Sequence, residues 1–187
     1  MRHMVFGAAA LVAGGVALSA CATLNEDQCS VTDWRQLGQS DGGRGLPQSH
    51  VAEHQKACAR FGISVDAALW TTGWQDGIRA YCTPLNGLSV GKNGRSNLNA
   101  CPVDQALAFN EGHRIGRAVF EARRKRDAVQ REIDVLVASL TTTPQAEIAR
   151  KQTDIQRKRL DLQAAQFDVT NAERQADLYE GRLAFAQ

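Results

Sequence analysis

Two aspartates are the residues of this chain whose type and placement could do acid–base chemistry. Asp41 and Asp76 stand in two similar segments, and a pair of carboxyl groups is what hydrolysis of a glycosidic bond needs. Each aspartate also has an arginine three residues later, Arg44 and Arg79, a spacing that forms ion pairs along a helix. We therefore interpret both aspartates as structural and keep glycan hydrolysis by Asp41 and Asp76 as the alternative.

A second group could bind a metal. His50, His54 and Cys58 follow one another at steps of four residues, which stacks them on one face of a helix as metal ligands can stack. Cys58, however, is expected in a disulfide, and a fourth ligand is not evident. The sequence also lacks a phosphate loop, a nucleophile elbow and a zinc-protease motif. We therefore predict no catalytic residue, no metal and no cofactor, and do not expect an enzyme.

Residues 1–20 predict a bacterial lipoprotein signal peptide. A basic start is followed by an apolar run over 5–18, and Ala20 is a small residue directly before Cys21. This layout is typical of cleavage before a cysteine whose thiol and amine then carry acyl chains. The run is interrupted by glycines and is shorter than the about 20 residues of a transmembrane helix. We expect lipidation at Cys21. The next residue is Ala22 and not an aspartate, which would resemble a signal for retention in the inner membrane, so we expect sorting to the outer membrane.

Four further cysteines predict two disulfides, since an exported chain with an even cysteine count favours pairing. We favour Cys82 with Cys101, because the residues between them are rich in turn formers and such a loop needs a crosslink. Cys29 with Cys58 then follows by elimination. Four cysteines allow three pairings, and the other two stay open.

A glycine repeat carries the predicted packing. The segments 38–45 and 73–80 share glycine, aspartate, glycine and arginine at the same offsets, and 112–117 is a weaker copy without the acid. Glycines four residues apart lie on one helical face and let another backbone approach closely. We predict three helices packed through glycine faces, with an aromatic residue upstream of each. The residues of this repeat are Gly38, Asp41, Gly42, Gly73, Asp76, Gly77, Gly112 and Gly116.

The cysteines and glycines together resemble a known family of small Gram-negative lipoproteins, catalogued only as a domain of unknown function (domain of unknown function 2799). The resemblance covers roughly residues 29–120 and departs from the family at Leu98, where an aromatic residue is expected. It implies an envelope location and no known activity. The residues that carry it are Cys29, Trp34, Gly38, Asp41, Gly42, Cys58, Asp66, Gly73, Asp76, Gly77, Tyr81, Cys82, Gly91, Gly94 and Cys101.

The first half of the chain reads as three short helices and a loop. Thr32 or Asp33 can cap a helix ending near Gly42, a second helix runs over 47–60, and Ser64 is a cap candidate for a third that ends at Tyr81. Residues 83–100 are expected to form a loop. A β-hairpin at Asn93-Gly94 is left open, because that dipeptide suits a type I′ turn.

The second half predicts two long helices. Apolar residues recur at alternating steps of four and three over 115–140, and at steps of seven over 148–183, on either side of a breaker that ends at Pro144. Helices of similar length joined by a short turn fold back on each other. We therefore predict an antiparallel coiled-coil hairpin over 103–187, whose first helix is shared with the domain at 29–120, and a short tether over 21–28.

These observations predict an all-α protein in which a disulfide-linked helical domain carries a projecting hairpin. The 22 basic and 20 acidic side chains are nearly balanced, so no nucleic-acid partner is expected. We expect the bilayer to be contacted through acylated Cys21, and an envelope protein to be the partner of the hairpin. The predicted role is binding or scaffolding on the periplasmic side of the outer membrane. The alternative is a peptidoglycan hydrolase that uses Asp41 and Asp76.

Overall fold

The computed structural model describes residues 24–96 and 100–185, and within these ranges the protein is all-α, as predicted. The predictions for Cys21, the signal peptide and Leu98 lie outside the described residues. Short 3₁₀ turns precede α3 and follow α6, at Gln48–His50 and Leu140–Thr142. The helices are α1 (Glu26–Val31), α2 (Trp34–Gly43), α3 (Val51–Ala59), α4 (Ala67–Tyr81), α5 (Pro84–Lys92), α6 (Val103–Ser139) and α7 (Gln145–Phe185).

The short helices begin at side-chain caps. Asp33 caps α2, as one of the two predicted candidates, and accepts a hydrogen bond from the Gln36 amide at 3.0 Å. The cap of α4 is Asp66 and not Ser64, so that prediction was wrong. The Asp66 carboxylate accepts from the amides of Ala68 and Leu69, and its charge also interacts favourably with the positive end of the helix dipole.

Helix α5 corrects the predicted loop at 83–100. Thr83 caps it by accepting from the Asn86 amide at 3.2 Å, and Pro84 occupies the first turn, where its missing N–H costs nothing. The β-hairpin that the sequence left undecided at Asn93-Gly94 does not form. Asn93 has a φ of −90° rather than the positive value of a type I′ turn, and Gly94, at φ +70°, ends the helix.

Both favoured disulfides are present. Cys29–Cys58 joins α1 to α3 with a Cα–Cα distance of 5.7 Å, and Cys82–Cys101 joins the end of α4 to the residue before Pro102 with 5.6 Å. Leu24 is buried with the first disulfide, so the chain is packed against the domain immediately before α1. The disulfide therefore holds α3 close to the start of α2, where Trp34 and Leu37 pack against Ala57 and Cys58.

The glycines form two helix pairs rather than one group of three, which corrects the predicted packing. Helix α2 lies on α4, where a Cβ added to Gly77 would stand 2.1 Å from the Gln39 carbonyl oxygen. Helix α5 lies on α6 in the same way, with 2.1 Å from a Cβ at Gly116 to the Leu88 carbonyl oxygen. In each pair both helices contribute two glycines to the contact. They are Gly38, Gly42, Gly73 and Gly77 in the first pair and Gly87, Gly91, Gly112 and Gly116 in the second.

Helices α6 and α7 run antiparallel. Ion pairs join Arg123 to Glu173 and Glu132 to Lys158, so partners later in α6 are earlier in α7. The apolar residues of the predicted stripes are buried or half-buried along both helices, as Ile133 and Ile155 illustrate. The end of α7 packs on the second glycine pair, where Tyr179 is buried beside Leu88 and Val119. At 1.5 Å per residue α6 is about 55 Å long. Coiled-coil packing between the two helices remains a prediction.

None of the helices in the described ranges is both long and apolar enough to cross a membrane.

Candidate functional site

Asp41 is the least exposed charged side chain in the described ranges, with a relative accessibility of 0%. Its Oδ2 accepts a hydrogen bond from Nε1 of Trp70 at 2.9 Å and lies 2.8 Å from Nε2 of His54. Its Oδ1 accepts from the guanidinium of Arg44, as the spacing predicted. We call these four side chains the Asp41 cluster. Both carboxylate oxygens therefore already have partners.

Three helices build the Asp41 cluster. Asp41 directly precedes Gly42, whose contact with the backbone of α4 brings the carboxylate to Trp70 on that helix. Helix α3 adds His54, and this helix is held by the Cys29–Cys58 disulfide. The glycine contact and the disulfide together determine the position of a charge that neither could bury alone.

The pKa of Asp41 lies below its ordinary value. Burial, the largest single effect, raises it, but the hydrogen bonds from His54, Trp70 and Arg44 together outweigh burial. A carboxyl whose pKa is lower in the folded than in the unfolded chain contributes stability that is present at neutral pH. That contribution is lost as the pH falls through the folded-state pKa of Asp41.

His50 stands next to the Asp41 cluster at the end of the first 3₁₀ turn. Its ring meets that of His54 edge to face, with centroids 4.9 Å apart. One candidate ligand atom from each of Asp41, His50 and His54 lies within 4.8 Å of the other two. Cys58 belongs to a disulfide, so the predicted set of two histidines and a cysteine is not available to a metal. The carboxylate of Asp41 takes the place of the thiol.

The other candidate carboxylate, Asp76, has a different environment. It is 53% exposed and pairs at 3.2 Å with Arg35 on α2, not with Arg79 as the spacing predicted. The reason is that α2 lies directly along α4, so Arg35 approaches from the neighbouring helix. Because Asp41 is enclosed and Asp76 is on the surface, the two acids do not present a shared carboxylate pair to solvent.

The second glycine pair lacks the Asp41 cluster although its backbone is built the same way. Asp41 precedes Gly42, and Val90 precedes the corresponding Gly91; both side chains are buried. Trp70 stands three residues before Gly73, and a buried Phe109 stands three residues before Gly112. A helix pair of this kind therefore closes without a buried carboxylate at this position.

Another hydrogen bond recurs in both pairs and marks them as copies of one unit. Nε1 of Trp74 donates to the Leu46 carbonyl at 2.7 Å, and Nε2 of His113 contacts the Arg95 carbonyl at 2.7 Å. The sequence analysis missed this duplication, because it aligned glycine segments from both pairs as two copies and a weaker third. Gly87 and Gly91 of α5 could have indicated the duplication, but the sequence analysis assigned them to a loop.

The fold and the site define a class of all-α protein built from two glycine-faced helix pairs, two disulfides and a long antiparallel helix pair. Residues 33–118 match the model of a protein family of unknown function, DUF2799, which confirms the resemblance found in the sequence. The matched segment contains both glycine pairs and ends within α6. No curated protein and no solved structure matches the chain.

Proposed function

We propose that this protein is a lipid-anchored binding or scaffolding component of the bacterial envelope, held at the outer membrane by acylated Cys21 and facing the periplasm. The observation that carries the proposal is the antiparallel pair of α6 and α7, which extends beyond the family-matched segment and bears large exposed apolar side chains. Two disulfides add support, because they form and persist in oxidising compartments such as the periplasm.

The hairpin surface suits a protein partner. Leu160 and Phe167 are each 66% exposed and stand seven residues apart, which places them on one face of α7. Val135 on α6 is 67% exposed and lines a groove with Leu136 and Lys158. Exposed aromatic and aliphatic side chains in a row are typical of binding surfaces, since their burial is what stabilises a complex.

Changing the acylated cysteine tests the anchor. We expect Cys21→Ser to yield unprocessed, unacylated precursor, because signal peptidase cleavage and acylation both need the thiol. The measurement is mass spectrometry of the protein from membrane fractions, together with labelling by a palmitate analogue. Ala22→Asp is the matched variant and should leave acylation intact while moving the protein to the inner membrane. Normal processing and acylation of Cys21→Ser would contradict the anchor.

Photo-crosslinking in intact cells tests the partner. We expect p-benzoylphenylalanine in place of Phe167 or Leu160 to give a discrete adduct with another envelope protein, because these side chains would be buried in the complex. The measurement is immunoblotting after irradiation, followed by mass spectrometry of the adduct. The same probe at Gln75, an exposed position on α4, is the control. Absence of adducts at both hairpin positions, or equal adducts at Gln75, would contradict a hairpin-mediated partner.

The alternative, a peptidoglycan hydrolase using Asp41 and Asp76, gains no support from the site. Asp41 is fully buried between helices, so a glycan chain cannot reach its carboxylate in the folded protein. Asp76 pairs with Arg35 on the surface. A hydrolytic activity that is lost in Asp76→Asn while helicity is kept would nevertheless favour the enzyme.

A further inference from the structure

We propose that Asp41, His50 and His54 form a binding site for a divalent transition metal of the zinc class. Two imidazoles and one carboxylate are ligands that such ions take, commonly with water in a fourth position. This inference goes beyond the proposed function, because anchoring and scaffolding do not need a metal. The sequence argument against a metal considered Cys58 as the third ligand, whereas the folded chain supplies Asp41 from α2.

The distances suit the ion after a small adjustment. Bonds of about 2.0 to 2.2 Å in a tetrahedron place ligand atoms about 3.3 Å apart. Oδ2 of Asp41 and Nε2 of His54 are 2.8 Å apart, and the ligand atoms of all three residues lie within 4.8 Å of one another. Gathering them around one ion therefore requires movements of roughly 1.5 Å or less. His50, half-buried at the start of α3, can supply most of this movement by rotating its side chain.

The charge of Asp41 and the partial exposure of His50 both favour binding of a cation at these three residues. The buried carboxylate of Asp41 provides negative charge toward a dication, and its present counter-cation is Arg44, whose side chain is 62% exposed. When an ion binds, the Arg44 guanidinium can move into water at little cost. His50 is the ligand nearest to solvent, so the open fourth position lies on its side of the cluster.

Comparison with the second glycine pair indicates that the Asp41 cluster is not needed to pack two helices together. Val90 and Phe109 fill the positions of Asp41 and Trp70 there, and that pair is closed without a buried carboxylate at this position. The first pair instead keeps a buried carboxylate and places beside it His54 of α3 and His50 of the 3₁₀ turn before that helix. The hydrogen bonds that Asp41 accepts come from His54, Trp70 and Arg44 and not from His50. A change at His50 therefore tests the metal site while leaving those bonds of Asp41 in place.

The test is zinc binding to the full chain, purified in detergent without a polyhistidine tag and stripped with a chelator that is then removed. Equilibrium dialysis against Zn²⁺ with elemental analysis gives stoichiometry and affinity, and Co²⁺ reports coordination through its visible absorption. The variant is His50→Ala. The matched control is Gln55→Ala, an exposed position on α3, the helix that carries His54.

We expect one Zn²⁺ per chain in the wild type and in Gln55→Ala, with a four-coordinate Co²⁺ spectrum. Loss of the ligand in His50→Ala should weaken zinc binding at least as much as loss of an outer-shell partner, about 10- to 100-fold. Equal zinc affinity in His50→Ala, no bound zinc in the wild type, or a Co²⁺ spectrum unchanged by the variant would overturn the site. If the unfolding midpoint of metal-free His50→Ala is below that of the wild type, His50→Phe replaces it, because phenylalanine keeps a ring next to His54. Zinc affinity of His50→Phe is then compared with that of the wild type, with the same expected and contradicting results.

Discussion

Replacing Gly77 with leucine should destabilise the folded protein by more than about 3 kcal/mol, at or above the upper end of overpacking costs. A Cβ at this position would stand 2.1 Å from the Gln39 carbonyl oxygen and 2.6 Å from the Gly43 nitrogen, both backbone atoms of α2. Backbone cannot rotate away as a side chain can, so α2 and α4 must separate. Their separation would also open the Asp41 cluster between them.

The measurement is thermal unfolding of the full chain followed by circular dichroism. For a chain of this size each kcal/mol corresponds to about 2 to 4 °C, so the midpoint should fall by roughly 6 °C or more. Gly181→Leu is the matched control, because nothing lies within 4 Å of a Cβ at that position of α7. Helix propensity alone makes leucine nearly 1 kcal/mol better than glycine, so this control should be neutral or stabilising. A Gly77→Leu midpoint equal to or above that of the wild type would contradict the glycine contact.

The same glycines show where sequence reasoning succeeds and where it stops. The close approach of α2 and α4 is predictable, because the glycines recur at helical spacing beside large aromatic side chains. Helix α5 is not predictable from local propensity, since Pro84, Gly87 and Gly91 all read as turn formers. Helix α5 is stabilised by packing on α6. This contact joins two separate segments, so the residue types within α5 alone do not indicate it.

The long helices were easier to predict than the site. Their apolar stripes repeat over about seven turns in the first helix and about ten in the second, and patterns of that length strongly favour long helices. The Asp41 cluster depends instead on three helices meeting, and the sequence showed only the pairing of Asp41 with Arg44. His54 and Trp70 become partners of Asp41 through tertiary packing, and nothing in their spacing along the chain indicates this.

Replacing Asp41 with valine, the residue at the corresponding place in the second pair, should destabilise the protein by about 3 to 5 kcal/mol, the range for breaking a buried charged cluster. The Trp70 N–H would lose its acceptor, and the His54 imidazole would lose its carboxylate partner. Leaving buried polar groups without their partners costs more than a hydrogen bond contributes. The free energy of unfolding, measured by urea denaturation with a chelator present, isolates this effect from any bound metal.

The triple variant Asp41→Val, Trp70→Phe and His54→Leu is the decisive comparison. It removes the acceptor and both of its buried partners, and it gives the first pair the apolar residues Val90 and Phe109 that close the second pair. Replacing a whole buried polar cluster with apolar residues of similar volume is often neutral or stabilising, so the triple variant should recover at least half of the loss. Full recovery to the wild-type free energy of unfolding would show that the cluster is not needed for stability. A triple variant as unstable as Asp41→Val would contradict this expectation, because the loss would then not come from leaving Trp70 and His54 without their acceptor.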